Sequence, residues 1–467
     1  YMQYSTFAAI DIGSYDVILE IFEISKKQGI RSVDKICHRM ELGKDTYTLG
    51  KIRPEMEEEL CRVLADFVRI MEGYRVDDYR ATASSAISEA SNSLYVLGKI
   101  HQLTGLSVTV LSNSEQRFLS YKALAAMEDN FNKIIEKGTA ILDLDGGSFQ
   151  ISLFDKDALV TTQNIRMGSL RIRERLAGIQ SETEHYEEMV EELIWNEVSS
   201  FKKMYLKDRK IENIMLIGDV FTDSVYQNIE EKTTKIISRE NFNTWYEKII
   251  RQSPMELAVK LGIPLENASL MYPSAVIYKC LIDMMGAEHI WIPGVHMTRG
   301  IAYEYAEQMK LLKGGHNFEN DILMAAKNIG KRYAVNRPHV QNLEMTALAM
   351  FDATKKMHGM KERERLLLQM AVMLHDVGKY ISFNNVADSS YNIIMSNEII
   401  GLSHIEREMV ALIARYNTVT LPSYDELVME SSLSAEQYLT VSELTAIVRL
   451  ANALDRSHFC LLYTSDA

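Results

Sequence analysis

Two short stretches of this chain place an acid, a glycine and a serine in the same order between β-rich runs. In AAIDIGSYDVILEIFEI, Asp11 is followed by Gly13 and Ser14; in AILDLDGGSFQISLFD, Asp143 is followed by Gly146, Gly147 and Ser148. Glycine lets the backbone turn sharply and approach a ligand closely. Successive N–H groups in such a turn form an anion-binding nest, to which a serine hydroxyl adds a donor. An aspartate at the strand end can hold a divalent cation, directly or through water. Two such turns facing each other would clamp a phosphate group and its metal. One Gly-Ser after a strand is usually only a turn, so the functional reading rests on the repetition.

The elements that must position these residues are legible around them. Apolar runs at 7–10 and 17–24 flank the first turn, and runs at 140–142 and 151–154 flank the second. Each copy therefore predicts strand, tight turn and antiparallel strand. Pro54 suits a first helical turn, and Met56, Leu60, Val63, Leu64, Phe67 and Met71 follow at helical spacing. From about residue 314 the pattern is helical throughout, with helices expected at 319–333, 340–358, 362–374, 405–416 and 434–454 after a linker at 313–321.

Composition bounds the answer. At roughly 150 residues per domain, 467 residues suggest about three domains. The chain is 47% hydrophobic and 25% charged, with only 7 prolines and 23 glycines, which excludes collagen-like and wholly disordered readings. With 51 basic and 64 acidic residues the net charge is −13, so no DNA or RNA is expected as a partner. Cys37, Cys61, Cys280 and Cys460 lie far apart without metal or disulfide spacing, which suits a reducing cytoplasm. No apolar run is long enough for a membrane span, and the N-terminus has no signal-peptide pattern, so a cytoplasmic protein without membrane association is expected.

The chain resembles the exopolyphosphatase/guanosine pentaphosphatase (Ppx/GppA) phosphatase family of the actin-like, sugar-kinase and Hsp70 superfamily. AAIDIGS is similar to the family's first phosphate loop and ILDLDGGSFQ to its DIGGGSTE loop. ELGKDTYTLGKIRPE, RATASSAISEASN, TGLSVTVLSNSEQRFL, RMGSLRIRERL and HMTRGIAYE resemble further family segments in the same order. The resemblance implies a two-lobed α/β phosphohydrolase that uses Mg²⁺ to remove terminal phosphate from inorganic polyphosphate or guanosine pentaphosphate. By position it implies Glu115 as the residue that activates water, Asp143 as the cation-associated acid, and Gly13, Ser14, Gly146, Gly147 and Ser148 as phosphate loops; Asp11, at the same place in the first turn, is the second candidate metal ligand. Without the resemblance, Glu115 reads as a first-turn helix residue near a serine cap at Ser112 or Ser114.

The departures have physical consequences. Tyr15 and Asp16 replace the end of the first loop's DIGSNS pattern, Asn113 replaces a glycine, and Ser88 stands where the family has a phosphate-pairing arginine. Asp145 places a carboxylate where substrate oxygens should pass, which repels them unless a cation lies between. Gln150 replaces a glutamate; it cannot act as a base but can orient water. Gly218 alone survives from a glycine-rich segment, in IGDVF. Arg166, Arg171 and Arg299 are the cations left near the cleft, Arg171 and Arg299 being assigned to phosphate, with surface charge as the competing reading.

The C-terminal third resembles the family's HD-like domain. RPHVQNLEMTALAMFD supplies His339, AVMLHDVGKYIS supplies His375 and Asp376, and RLANALDRSH closes the segment. In a working HD phosphohydrolase these residues hold a divalent metal. Here NNVADSS lacks the expected histidines and Asn452 replaces an acid, although Asp455 is kept. A degenerate site, or a satisfied polar cluster joining helices, is expected, with interaction as the domain's role: lining a cleft for a polyanion, or homodimerisation. The tail LLYTSDA and the Tyr1 start suggest a fragment truncated at the C-terminus.

The expected architecture is therefore α/β: actin-like (ASKHA, ribonuclease H-like) lobes at 1–127 and 128–312, then an all-α HD-like domain at 313–467. The expected function is a phosphoric anhydride hydrolase of exopolyphosphatase type. The alternative is a catalytically impaired regulator that binds polyphosphate or a guanosine penta- or tetraphosphate alarmone. A weaker third reading is an ATP-dependent kinase of the same superfamily, which the TGL…SEQRFL block opposes.

Overall fold

The computed structural model describes residues 4–127, 131–177, 186–228, 235–312 and 316–455. The chain divides between His316 and Asn317 into two compact units.

The first unit holds two mixed sheets. The strands of one are β1 (Ser5–Ile12), β2 (Asp16–Ser25), β3 (Gly29–Arg39), β4 (Asp78–Ala83) and β5 (Val108–Val110), in the order β3-β2-β1-β4-β5. The other contains β6 (Thr139–Leu144), β7 (Phe149–Asp155), β8 (Ala158–Ile165), β9 (Asn213–Ile217), β10 (Ile236–Ser238) and β11 (His289–Trp291), in the order β10-β11-β9-β6-β7-β8. The two correspond strand for strand. β1 and β6 each pair antiparallel with the next strand and parallel with β4 or β9, and β10 is an added edge of the second sheet. The sequence repeat is thus a repeat of topology.

The unbroken apolar runs follow from burial on both faces. In β1, Phe7, Ala8, Ala9 and Ile10 are fully buried. Ala8, Ile10 and Ile12 join the core that contains Leu60, Leu64 and Phe67, whereas Phe7 and Ala9 face Leu119, Ile301 and Tyr305. The helix Pro54–Tyr74 buries Leu60, Val63, Leu64, Phe67 and Met71, the stripe its periodicity predicts. On the opposite face the helix Asn113–Met127 crosses the helix Met297–Gln308. Gly300 makes that crossing possible: a Cβ there would lie 2.6 Å from the Leu119 carbonyl carbon.

Register sets the acids. Asp11 stands opposite Ile18 on β2 and Thr82 on β4; Asp143 stands opposite Gln150 on β7 and Ile217 on β9. Both lie near the carboxyl ends of central strands, where mixed α/β sheets bind ligands.

The second unit is helical in its described residues: Phe318–Arg332, Arg337–His358, Glu362–Leu374, Val386–Ser396, His404–Tyr416, Tyr424–Leu427 and Ala435–Leu454. The first of these starts inside the stretch read as a linker, whose residues 313–315 lie outside the described residues. The Val386–Ser396 helix lies outside the helix ranges expected from the sequence. Ser390 ties it to the chain turn at Gly378, its hydroxyl accepting from Gly378 N and donating to His375 O. Residues 456–467, including Cys460, the end of LDRSH and the tail, lie outside the described residues. Among the described residues no helix is long and apolar enough to cross a membrane.

Candidate active site

The two repeated turns meet. A Cβ on Gly146 would lie 2.9 Å from the Ser14 Cβ, so the second loop touches the first. A crevice of about 170 Å³ opens beside this contact, lined by Asp11, Gly13 and Ser14 from the first hairpin and by Asp143 and Asp145 from the second. Tyr47 sits at the seam, its hydroxyl 2.8 Å from the Ser14 Oγ and 2.8 Å from the Ser85 Oγ. Burial pushes the Tyr47 hydroxyl up to about 12, with Asp145 adding to the effect and the two serines opposing it.

The second loop is held by its own side chains. Asp145 Oδ1 accepts from Gly147 N at 2.6 Å and from Ser148 N at 3.1 Å. Asp145 Oδ2 accepts from Arg117 Nη2 at 2.8 Å and from Gln116 Nε2 at 3.2 Å. Arg117 Nη1 also donates to Asp143 Oδ1 at 2.8 Å, and Nη2 to Ser148 Oγ at 3.1 Å. The Arg117 side chain is 2% exposed. Burial works against its charge, but Asp143 and Asp145 outweigh burial and raise its affinity for the proton.

The other expected residues fall at different places. Glu115 closes a capping box at the start of Asn113–Met127: its carboxylate accepts from Ser112 N at 2.9 Å and Ser112 Oγ accepts from Glu115 N. It is not among the residues lining the crevice. From the same helix Gln116, Arg117 and Ser120 line it instead. The signal in the sequence was a polar face at helical spacing between apolar Phe118, Leu119 and Leu124. Gln150 is buried and donates to Ser152 Oγ at 3.3 Å, within a network that reaches Thr162. Arg171 grips the second loop from its carbonyl side, donating to Gly147 O at 2.8 Å, while its charge is taken up by Glu89, which also binds Arg166. Arg299 donates to Ile30 O at 3.3 Å and is not among the lining residues, although Thr298 beside it is. Gly146, Gly147 and Ser148 form the loop that Asp145 fills.

Acids dominate the field. Asp11, Asp16, Asp143, Asp145, Asp219 and Asp223 line the crevice against Lys35, Arg39 and Arg117. Burial, helped by Asp16 and Asp145, raises Asp11 well above the usual carboxylate range, and Asp11 Oδ1 has no hydrogen-bond partner. Burial likewise raises Asp143 against the pull of Arg117, and lifts Asp219 to about 7. Asp143 Oδ2 and Asp219 Oδ2, like Asp11 Oδ1, are buried without a hydrogen-bond partner, so the crevice wall keeps carboxylate oxygens that could receive a cation. One Asp143 oxygen and one Asp145 oxygen are taken by a guanidinium, and the other Asp145 oxygen by loop N–H groups. Among the described residues, the group of His, Cys, Asp and Glu ligand atoms close enough to share one ion lies in the second unit.

That group is His339, His375 and Asp376, whose ligand atoms lie within 4.8 Å of one another. His339 Nδ1 contacts Asp455 Oδ2 at 2.8 Å, and His375 Nδ1 contacts Val372 O at 2.8 Å. The latter contact fixes the proton on Nδ1 and leaves His375 Nε2 without a hydrogen-bond partner. Burial lowers the affinity of His375 for a second proton, which suits a neutral ligand. His339 and Asp376 face a cavity of about 810 Å³ with Lys379, Arg415, Arg449 and Asn452 on its walls.

Comparison with known proteins follows the same division. The model of the Ppx/GppA phosphatase family matches residues 21–309, and that of the Ppx/GppA phosphatase domain III matches residues 323–460. A bifunctional 3-dehydroquinate synthase/phosphatase of Fusobacterium nucleatum is 21% identical over 310 residues, 61% of this chain and 44% of that protein. The chain thus spans less than half of that relative's length. A guanosine-5'-triphosphate,3'-diphosphate pyrophosphatase of Vibrio atlanticus is 18% identical over 449 residues, 95% of this chain and 86% of the relative. Among solved structures, an exopolyphosphatase from Cytophaga hutchinsonii superposes with a TM-score of 0.58 at 17% identity, covering 66% of this chain and 100% of that one. The Aquifex aeolicus Ppx/GppA family member gives 0.54 at 18% identity, over 66% and 99%. These likenesses show the fold: two mixed sheets with helices, of the actin-like type, followed by a helical region.

Proposed function

Because this chain belongs to the Ppx/GppA phosphatase family, we propose that it is a phosphohydrolase releasing terminal phosphate from inorganic polyphosphate or guanosine pentaphosphate. The observation that carries this reading is the meeting of the two acid-bearing hairpin tips, Asp11 with Ser14 and Asp143 with Asp145, around one crevice. Relatives named for guanosine-5'-triphosphate,3'-diphosphate and a solved exopolyphosphatase support the substrate class.

The chemistry needs an oriented water, a proton acceptor and neutralised phosphate oxygens. Asp219 is the acceptor in this reading, since its proton affinity is matched to neutral pH and it faces the crevice. Gln116, held on Asp145, orients the water. As the water oxygen bonds to the terminal phosphorus its proton passes to Asp219, the bridging P–O bond breaks, and the shortened chain departs as the anion. Ser14 and Arg117 face the transferring group.

Phosphatases of this family generally depend on a divalent cation, and Mg²⁺ is the ion the resemblance implies. Asp11 and Asp143, each with an unpartnered buried oxygen, would hold it, and it would neutralise charge on the phosphate oxygens. In the second unit, His339, His375 and Asp376 form a weak divalent-metal site in this reading. A cytoplasmic setting is supported by free Cys37, Cys61 and Cys280, and homodimerisation rests on the resemblance alone.

The test is phosphate release from polyphosphate, guanosine pentaphosphate and ATP, with and without Mg²⁺. Release that disappears in Asp219→Asn supports the proposal. No release above blank at high protein concentration rejects it, and saturable binding without release would mark an impaired binder of the same ligands.

A further inference from the structure

The second unit carries a cavity that the chemistry of the crevice does not use. His339, His375 and Asp376 stand on it, with both histidines 1% exposed. His375 Nε2 is buried without a hydrogen-bond partner, 3.3 Å from Asp376 Oδ1. His339 and Asp376 open onto about 810 Å³, within the range of small-molecule sites. Three protein ligands leave a divalent ion with open positions. Asn452, on the same lining, adds no charge, and its amide donates to Asn417 Oδ1 at 2.9 Å.

The rest of the lining favours an anion. It holds Lys379, Arg415 and Arg449 against Asp376 and Asp388, a local excess of positive charge in a chain of net charge −13. Lys379 pairs with Asp376 and Arg415 with Asp388, whereas Arg449 makes no ion pair among the described residues. A divalent ion on the histidines would add to that excess. The helix Val386–Ser396 begins on the same lining, and its N-cap Asn385 makes no side-chain cap, so that side chain takes none of the first-turn N–H groups. Phe383, 84% exposed, adds an aromatic face.

We propose that this cavity is a second ligand site and takes a nucleoside phosphate. Phosphate oxygens complete the coordination of a divalent ion on His339, His375 and Asp376, Arg449 pairs with the same phosphate, and Phe383 stacks on the base. This inference rests on the metal reading of those three residues and not on the hydrolysis assigned to the crevice. An open-sided ion beside a free guanidinium calls for an anion with several oxygens, which a phosphate supplies. A bare phosphate would leave Phe383, Val386 and Val419 uncovered, whereas a base and ribose have the apolar surface to meet them. An aromatic ring stacks on any base. Binding makes and breaks no covalent bond.

The visible absorption of the Co²⁺-loaded full chain, titrated with AMP, inorganic phosphate and adenosine, tests this. AMP has no phosphoanhydride for the crevice to cleave. AMP should shift the band, phosphate should shift it with a Kd at least about tenfold weaker, and adenosine should not shift it. Arg449→Gln should keep the ligand-free band and weaken AMP by about tenfold. Phe383→Ala should weaken AMP by about fivefold and leave phosphate unchanged. A band that AMP leaves unmoved, an AMP affinity unchanged in Arg449→Gln, or AMP binding no tighter than phosphate overturns the proposal while the metal site stands. A wild-type chain without the band, or a band that persists in His375→Ala, removes the metal site and the proposal together. Neither result bears on phosphate release at the crevice, which its own assay decides.

Discussion

Ser14 and Tyr47, side chains from the turn after β1 and the helix Leu42–Leu49, share a hydrogen bond of 2.8 Å at the line where the two turns touch. The same Tyr47 hydroxyl reaches Ser85, and the ring lies under the Arg171 guanidinium at 4.0 Å. Tyr47→Phe therefore removes two hydrogen bonds but keeps the ring. The expected cost is about 1–2 kcal/mol in urea unfolding. Ser14 is freed at the same time, so the KM for polyphosphate should change more than kcat. An unchanged KM would mean that the Ser14 hydroxyl does not touch the ligand.

Glu115 and Asp219 can be told apart by charge removal. A glutamine at position 115 still accepts from Ser112 N, so Glu115→Gln should keep stability within about 0.5 kcal/mol and keep phosphate release, whereas Glu115→Ala loses about 1 kcal/mol. Asp219→Asn keeps an acceptor for Phe221 N and Thr222 N but loses the proton acceptor, and release should fall by about 10²-fold or more. Loss of release in Glu115→Gln would return the water-activating role to Glu115.

Stability should fall as pH rises through neutrality. Asp219 holds its proton in the folded chain up to about 7, against an ordinary value of 3.8 when unfolded. Between those values the unfolded state binds fewer protons than the folded one, so unfolding becomes easier with each step in pH. Asp11 and Asp143, also raised by burial, act in the same direction. Asp219→Asn should flatten the slope of urea midpoint against pH, by at most about 4 kcal/mol over the whole range. A wild-type midpoint that rises from mildly acidic to neutral pH would contradict this.

In the second unit, Mn²⁺ or Co²⁺ added at about one hundred times its Kd should stabilise the chain by about 2.7 kcal/mol if His339, His375 and Asp376 share an ion. His375→Ala should abolish the shift in Tm, and Co²⁺ should give a visible absorption band in the wild type alone. Equal shifts in both proteins would place the ion elsewhere.

The sequence showed the fold more clearly than the site. The duplicated turns, the helix from Pro54 and most of the C-terminal helices carry strong periodic or glycine signals, and the structure has them. Asp11, Asp143, Ser14 and Asp145 were legible because strand register alone puts them at the tips. Glu115 and Gln116 are adjacent, yet on a helix neighbouring residues point about 100° apart, and one position decides between a cap and a crevice wall. Arg117 was invisible as a partner of Asp143 because that contact joins a helix to a strand across the chain, and no local pattern encodes it. Arg171 and Arg299 were singled out as positive charges, but what a guanidinium binds depends on neighbours such as Glu89 and the Ile30 carbonyl.

The Gly300 crossing has a bearing on the crevice that its position does not suggest. The Leu119 backbone sits directly on that glycine, in the helix that presents Gln116 and Arg117. A single methyl at position 300 would press on the Leu119 backbone, two residues along that helix from the guanidinium that binds both aspartates. The charge balance of the crevice is thus tied to a residue outside its lining.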